Sequence, residues 1–220
     1  MNLRTKVRNA IAKIRIKLTQ YKNRRKLNNK NFSIISNNCW AGTAVYQPCG
    51  LKYTTPTVGL FIMDEDYIRF LENLEDCLTS SIIFIHPEES KYYDIISKRG
   101  GEITYPIGRL RNDVEIHFLH YRTPAEAEQK WHRRAKRVNR DRMLIKMSLR
   151  NTASDSEELI SRFEALKYRN KICFVPIPIT KASNCVVYVP ELKNLNLVGG
   201  DETQDTLKTI DIYKLLNSMI

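Results

Sequence analysis

Lys130, Arg134 and Arg137 recur at helical spacing, with Trp131 and Arg133 beside them. On a helix that spacing gathers three cations on one face next to an indole. Guanidinium groups beside an aromatic ring suit a phosphate and stacking on a base or sugar. Trp131, Arg134 and Arg137 are therefore candidate contacts for an anionic substrate. The same pattern also describes a solvated basic face with Trp131 turned into the core.

Four other sets of residues could act on such a substrate. His117 and His120 sit three apart in an alternating run, so they point to opposite faces and do not share a metal. His120, at the end of that run, is a candidate base or a hydrogen-bonding core group. Asp113 and Glu115 lie two apart on one face, a spacing that could hold a divalent cation or supply a base; it is also the spacing of the wet side of an edge strand. Cys39 could be a nucleophile if a base such as His120 reached it, but a structural thiol is the ordinary role. Asn37 and Asn38 could orient hydroxyls or a phosphate, although asparagine is also a common turn former.

The elements that must position these groups are legible in outline. Phe32–Ile35 is a short apolar run of the kind that forms a buried strand. It leads into a stretch of roughly twenty residues, Asn37 to Thr57, rich in small residues, that carries Cys39, Trp40 and Cys49. A structureless segment of that length is uncommon and usually functional, and this one is expected to be an ordered loop at the carboxyl edge of a sheet, where open α/β folds place ligands. Acidic residues at Asp64–Asp66 start a helix that repeats Tyr67, Phe70, Leu71, Leu74, Cys77 and Leu78. Runs at Ser81–His86, Thr104–Gly108, Val114–Tyr121, Met143–Leu149, Ile172–Pro176 and Cys185–Val189 are expected strands or extended segments. Helices are expected at Glu88–Ser97, ended by Gly100 and Gly101, from Thr123 to about Arg137, at Ser154–Leu166 and at Asp211–Leu216. Thr123-Pro124-Ala125-Glu126 has the form of a capping box with proline at the first helical position, and Ser154 with Glu157 repeats the box. Alternating strands and helices predict a three-layer α/β fold with a largely parallel sheet and flanking helices.

The net charge of +12 is unevenly placed. Residues 1–31 hold eleven Lys and Arg and no acidic residue, and Lys130 to Lys146 hold eight against Asp141 alone. The remaining body is mildly acidic. In the first 21 residues Leu3, Val7, Ala10, Ile11, Ile14, Leu18 and Tyr21 form one helical stripe within basic surroundings. Such a helix suits an anionic membrane leaflet, at about 1 kcal/mol per basic residue near the surface. It could also pack on the body or on a second protomer, or bind nucleic acid. Tyr21 to Lys30 is expected to be the helix end and a tether. The chain thus divides into a basic amphipathic helix and tether, 1–31, and a single α/β domain, 32–220. Five widely spaced cysteines without a CxxC pair argue against a disulfide framework or zinc knuckle. Without a secretory apolar region or a membrane-spanning run, the expected location is cytoplasmic, peripheral to the inner face of the membrane.

The blocks Ser36-Asn37-Asn38-Cys39-Trp40-Ala41-Gly42, Gly50-Leu51-Lys52-Tyr53 and Thr55–Phe61 resemble a bacterial domain-of-unknown-function family, number nineteen-nineteen. So does the later block Tyr105–Gly108, Asp113–Tyr121, Glu126-Ala127, Trp131, Arg133-Arg134, Arg137 and Asn139. The resemblance covers about residues 32–217 and leaves out the basic arm. Ala41 stands where a second small glycine would be expected. The resemblance implies an α/β domain of exopolysaccharide or capsule biosynthesis, and no established reaction.

Taken together, the expectation is a glycosyltransferase-like or related group-transfer enzyme that uses a phosphate-linked sugar donor at the membrane surface. Asn37, Asn38, Cys39, Trp40, Trp131, Arg134, Arg137 and Asn139 would bind substrate, and His120, Asp113 and Glu115 would supply base or metal contacts. The Asn37–Thr57 loop would close over the sugar, in a crevice shared with the arginine helix. The partners expected are a nucleotide sugar or lipid-linked sugar and an anionic membrane surface; the acidic body argues against nucleic acid. The alternative is a non-catalytic scaffolding module of the same assembly machinery.

Overall fold

The structure, a computed structural model, describes residues 2–98, 102–150, 156–180, 183–195 and 200–219. In chain order the main elements are α1 (Leu3–Arg25), β1 (Ser33–Ser36), α2 (Gln47–Cys49, entered through a π-helical turn at Gly42–Tyr46), α3 (Asp64–Glu72), α4 (Leu74–Thr79), β2 (Ile83–Ile85), α5 (Tyr93–Ser97), β3 (Ile107–Arg109), β4 (Glu115–His117), α6 (Pro124–Ala135), β5 (Met143–Ser148), α7 (Ser156–Ala165), β6 (Asn170–Val175), β7 (Val186–Tyr188), α8 (Thr203–Thr209) and α9 (Ile212–Ser218).

Strands β1, β5, β6 and β7 form a parallel sheet in that order. Their near-continuous apolar sequences reflect burial on both faces, as a parallel sheet requires. Alternation divides the side chains between two cores. Ile34, Leu144, Ile172 and Phe174 pack with Trp40, Tyr46, Ile212 and Leu216. Ile35, Ile145, Met147, Cys173 and Val175 pack with Tyr67, Phe70, Trp131 and Phe163. Helices thus cover both faces, and the three-layer α/β architecture predicted from the alternation of elements is the one that forms.

Three expected strands lie outside this sheet. β2, β3 and β4 make a separate antiparallel sheet. A short apolar run announces a strand but not the sheet that receives it. The first of them is also more open than its sequence suggests, with Ile83 65% exposed. The run expected to continue to Tyr121 stops at His117, because Phe118–Tyr121 close a turn in which Tyr121 N–H donates to Phe118 O. The segment Gly59–Met63 joins the two sheets. Phe61 pairs with His117, and Ile62 N–H donates to Asn37 O at 2.9 Å.

The Asn37–Thr57 stretch is not an open loop. Its π-helical turn and α2 bury Ala44, Val45, Tyr46 and Cys49 in the core, which rules out a flap closing over a ligand. The first half of the expected helix end and tether, Tyr21–Arg25, is still helix, since α1 continues to Arg25. α6 begins as expected, with Thr123 Oγ1 accepting from Glu126 N–H. The Glu126 carboxylate accepts from Arg122 N–H rather than closing the box on Thr123. The helix expected at Glu88–Ser97 divides into a single turn at Pro87–Glu89 and α5. Gly100, Gly101 and Ser154 lie outside the described residues.

Candidate functional site

The carboxyl ends of β1 and β5 carry a buried polar cluster. Strand alternation turns Lys146 and Ser148 to the Trp40 side of the sheet, and Arg150 follows on the chain leaving β5. All three converge on Glu202, just before α8. The Glu202 carboxylate pairs with Lys146 Nζ, and it accepts from Ser148 Oγ at 2.6 Å, from Arg150 Nη2 at 2.8 Å and from Asn38 Nδ2 at 3.0 Å. Arg150 also donates to Gly200 O at 2.8 Å. Asn38 Oδ1 accepts from Lys146 Nζ at 3.0 Å, and the ammonium lies 5.4 Å from the Trp40 ring centre. The Trp40 indole N–H donates to Thr206 Oγ1 at 2.7 Å, which ties this wall to α8.

Two cations share one carboxylate, and the proton affinities follow. Burial alone would raise the Glu202 carboxyl, but Lys146 and Arg150 outweigh it and hold it at about 2. Burial pushes Lys146 down to about 8, against the pull of Glu202. The carboxylate therefore stays ionised, and Lys146, though still the weaker acid of the pair, loses its proton more readily than an ordinary lysine.

Asn37 joins β1 to β5 behind this cluster. Its side chain accepts from Ser148 N–H and donates to Ser148 O, at 3.0 and 2.9 Å. It also donates to Asp64 Oδ1 at 3.3 Å. Burial pushes the Asp64 carboxyl up to about 7 against the backbone N–H of Arg150 and the Asn37 amide, so near neutral pH it is part protonated.

The cluster forms one side of a cavity of about 420 Å³. Asn38, Arg150, Gly200, Asp201 and Glu202 line it with polar groups; Trp40, Leu60, Phe61, Tyr105 and Leu119 line it with apolar ones. Cys39, Thr43 and His120 complete it. Cys39 is half buried, its thiol raised by burial against the lowering effect of the Gly59 backbone, Arg150 and Lys146. It is a neutral thiol that donates weakly to Leu60 O. His120 is exposed at the mouth, while His117 is buried; the difference comes from the turn after β4 that carries His120, not from the two faces of one strand.

The arginine helix does not share this crevice. Trp131 is 1% exposed and meets Phe70 and Phe118 edge-on, so its faces are not free for a ligand. Arg134 lies inward beside it and donates to Val58 O at 3.0 Å and Tyr121 Oη at 2.6 Å, with the Tyr53 ring 4.7 Å away. Its charge is spent on fixing the Val58 turn. Arg137 and Asn139 lie toward the amino end of β1. Asn139 N–H donates to Ser33 Oγ at 2.8 Å, and Arg137 reaches Tyr53 O. Asp113 and Glu115 are bound into ion pairs of the second sheet. Lys91 Nζ is 3.1 Å from Asp113, and Arg109 Nη2 is 2.9 Å from Glu115. Among the described residues no group of three or more His, Cys, Asp or Glu could hold a metal ion. The site residues that sequence reasoning missed include Lys146, Ser148, Arg150 and Glu202 of the polar cluster and Tyr105 and Asp201 of the cavity lining. The one signal available was a lysine in the middle of the apolar run Met143–Leu149.

Residues 10–218 match the family described as "Domain of unknown function (DUF1919)". The chain belongs to that family. The match starts inside α1 and so takes in more of the amino-terminal helix than the blocks from residue 32 onward. A protein of Haemophilus influenzae (strain ATCC 51907 / DSM 11121 / KW20 / Rd), described as an uncharacterized protein, is 30% identical over 201 residues, which are 90% of this chain and 87% of that protein.

Proposed function

We propose that the protein is a group-transfer enzyme of exopolysaccharide or capsule assembly, and that the cavity at the carboxyl ends of β1 and β5 receives the sugar of a phosphate-linked donor. The observation that carries the proposal is the make-up of that cavity. A carboxylate, a guanidinium and an amide are held rigid by one another on one side, and Trp40, Tyr105 and Phe61 stand on another. Sites for small ligands combine an apolar lining with a few placed polar groups in this way. A sugar presents hydroxyls to the polar groups and C–H faces to the aromatic rings. Preorganised donors also stabilise developing charge without reorganising. Exposed His120 and Asp201 line the mouth, where either could take a proton from an acceptor hydroxyl. The family resemblance supplies the biosynthetic setting.

A thermal-shift screen against nucleotide sugars and polyprenyl-phosphate sugars tests the proposal. A ligand at a hundred times its dissociation constant is expected to stabilise the protein by about 2.7 kcal/mol. Tyr105→Ala should abolish that shift while leaving the unliganded protein intact, because Tyr105 is only part buried. With the ligand identified, His120→Ala should slow transfer about a hundredfold or more without changing affinity. Binding without any turnover would favour a non-catalytic module of the same machinery, and no shift with any sugar donor would remove the cavity as a donor site.

A further inference from the structure

Helix α1 carries its side chains in four sectors, with Arg25 at its last position falling in the apolar one, over the Tyr21 ring. At 3.6 residues per turn, Val7, Ala10, Ile11, Ile14, Leu18 and Tyr21 fall within roughly 100° of arc. Lys6, Lys13, Lys17 and Arg24 border that arc on one side, and Arg4, Arg8, Arg15 and Lys22 border it on the other. The remaining sector is neutral, formed by Thr5, Asn9, Ala12, Ile16, Thr19, Gln20 and Asn23.

The body holds α1 by its neutral sector. Gln20 Nε2 donates to Gln47 O at 3.0 Å, and Asn23 Nδ2 donates to Pro48 O at 3.1 Å. Gly50 makes the approach possible, because a Cβ there would sit 3.0 Å from the Gln20 side chain on a backbone at φ +61°. Immediately after the helix, Leu27 is buried, Lys26 O accepts from Asn217 Nδ2, and Asn28 N–H donates to Asn217 Oδ1. The carboxyl end of α1 is therefore bolted to the domain, and the apolar arc points away from it. Val7, Ile11, Ile14, Leu18 and Tyr21 are each roughly half exposed.

We infer that α1 is a rigid docking rod that lies in the interface of an anionic lipid bilayer, with its apolar arc in the acyl boundary and its two basic rails on the headgroups. The charge decides the occupant. Eleven cations and no acidic residue in residues 1–31 repel a second copy of the same arc and complement an anionic surface. An apolar strip bordered by cations on both sides is the arrangement that interfacial helices use. Because the helix is bolted rather than tethered, docking also fixes how the domain faces the membrane. The inference is independent of the cavity's ligand.

The full chain should co-sediment with phosphatidylglycerol vesicles, far less with phosphatidylcholine vesicles, and release as salt is raised. Arg8→Gln with Arg15→Gln should lower the partition coefficient roughly thirtyfold, at about 1 kcal/mol per lost cation. Ile11→Ser with Ile14→Ser should lower it at least about tenfold, whereas Ile16→Ser, in the neutral sector, should not. Trp40 and Trp131 are buried, so a tryptophan placed on α1 can be read against them. Ile14→Trp should be quenched by brominated lipid and Asn9→Trp should not. Equal quenching at both positions, equal binding to neutral vesicles, or a dimer that the Ile11/Ile14 variant dissociates would overturn the inference. So would binding to duplex DNA without binding to anionic vesicles.

Discussion

Glu202 and Glu115 are both buried carboxylates held by basic partners, yet their surroundings differ. Around Glu202 the side chains of Lys146 and Arg150 are themselves sealed, at 0 and 1% exposure. Around Glu115 the cation is Arg109, 34% exposed, helped by Ser90 Oγ at 2.6 Å and the Lys91 N–H. Lys91, also part exposed, ties Asp113 to buried Asp66. The second-sheet cluster is thus a set of staples that keeps contact with water. The Glu202 cluster is nearly sealed and meets solvent only along the cavity wall, and replacing such a buried ionic group by apolar residues would often be neutral or stabilising. Costly ionic groups retained beside a cavity are where perturbed proton affinities and function tend to coincide.

The comparison is broken most severely at Glu202. Glu202→Gln leaves two cations buried without their anion and is expected to cost about 3–5 kcal/mol, measured by urea unfolding. The next effect is a pH dependence. Asp64 titrates near 7 when folded and near 4 when unfolded, so between those values the folded state holds a proton that the unfolded state has lost. Stability should fall as pH rises across that window, by up to about 4 kcal/mol. Asp64→Asn should flatten the curve between pH 4.5 and 7, a range chosen to stay above the acid limb of Glu202. A curve of unchanged slope in that variant would remove Asp64 as its source. The smallest effects belong to the second sheet. Glu115→Gln is expected to cost about 1–3 kcal/mol, and Asp113→Asn, on an exposed side chain, less than about 1 kcal/mol. Equal losses at Glu115 and Glu202 would show that the two clusters are energetically alike.

Sequence pattern located most elements because their causes are local. The apolar runs Phe32–Ile35, Met143–Leu149 and Ile172–Pro176 fall on β1, β5 and β6, whose burial on both faces they report. Thr123-Pro124 starts a helix because the cap and the fixed proline φ act within one turn. α8 escaped notice because Thr203–Thr209 has little apolar periodicity; it is secured by distant contacts such as Trp40 to Thr206. Asn38, Cys39, Trp40 and His120 were visible as candidates since each flanks a strand or turn at one sheet edge, and all four reach the cavity.

What the sequence determined by itself is the α/β class, most of the strand-and-helix order of the body and the charge of α1, all set by spacing within a few residues. What only the tertiary structure decided is which charges are used and where. Helical spacing put Lys130, Arg134 and Arg137 on one face, but spacing does not say whether a face meets water or core, and Arg134 and Trp131 went inward. Glu202 meets Lys146 and Arg150 across more than fifty residues. No local rule reaches that far, because the pairing becomes favourable only once the fold has excluded the water between them.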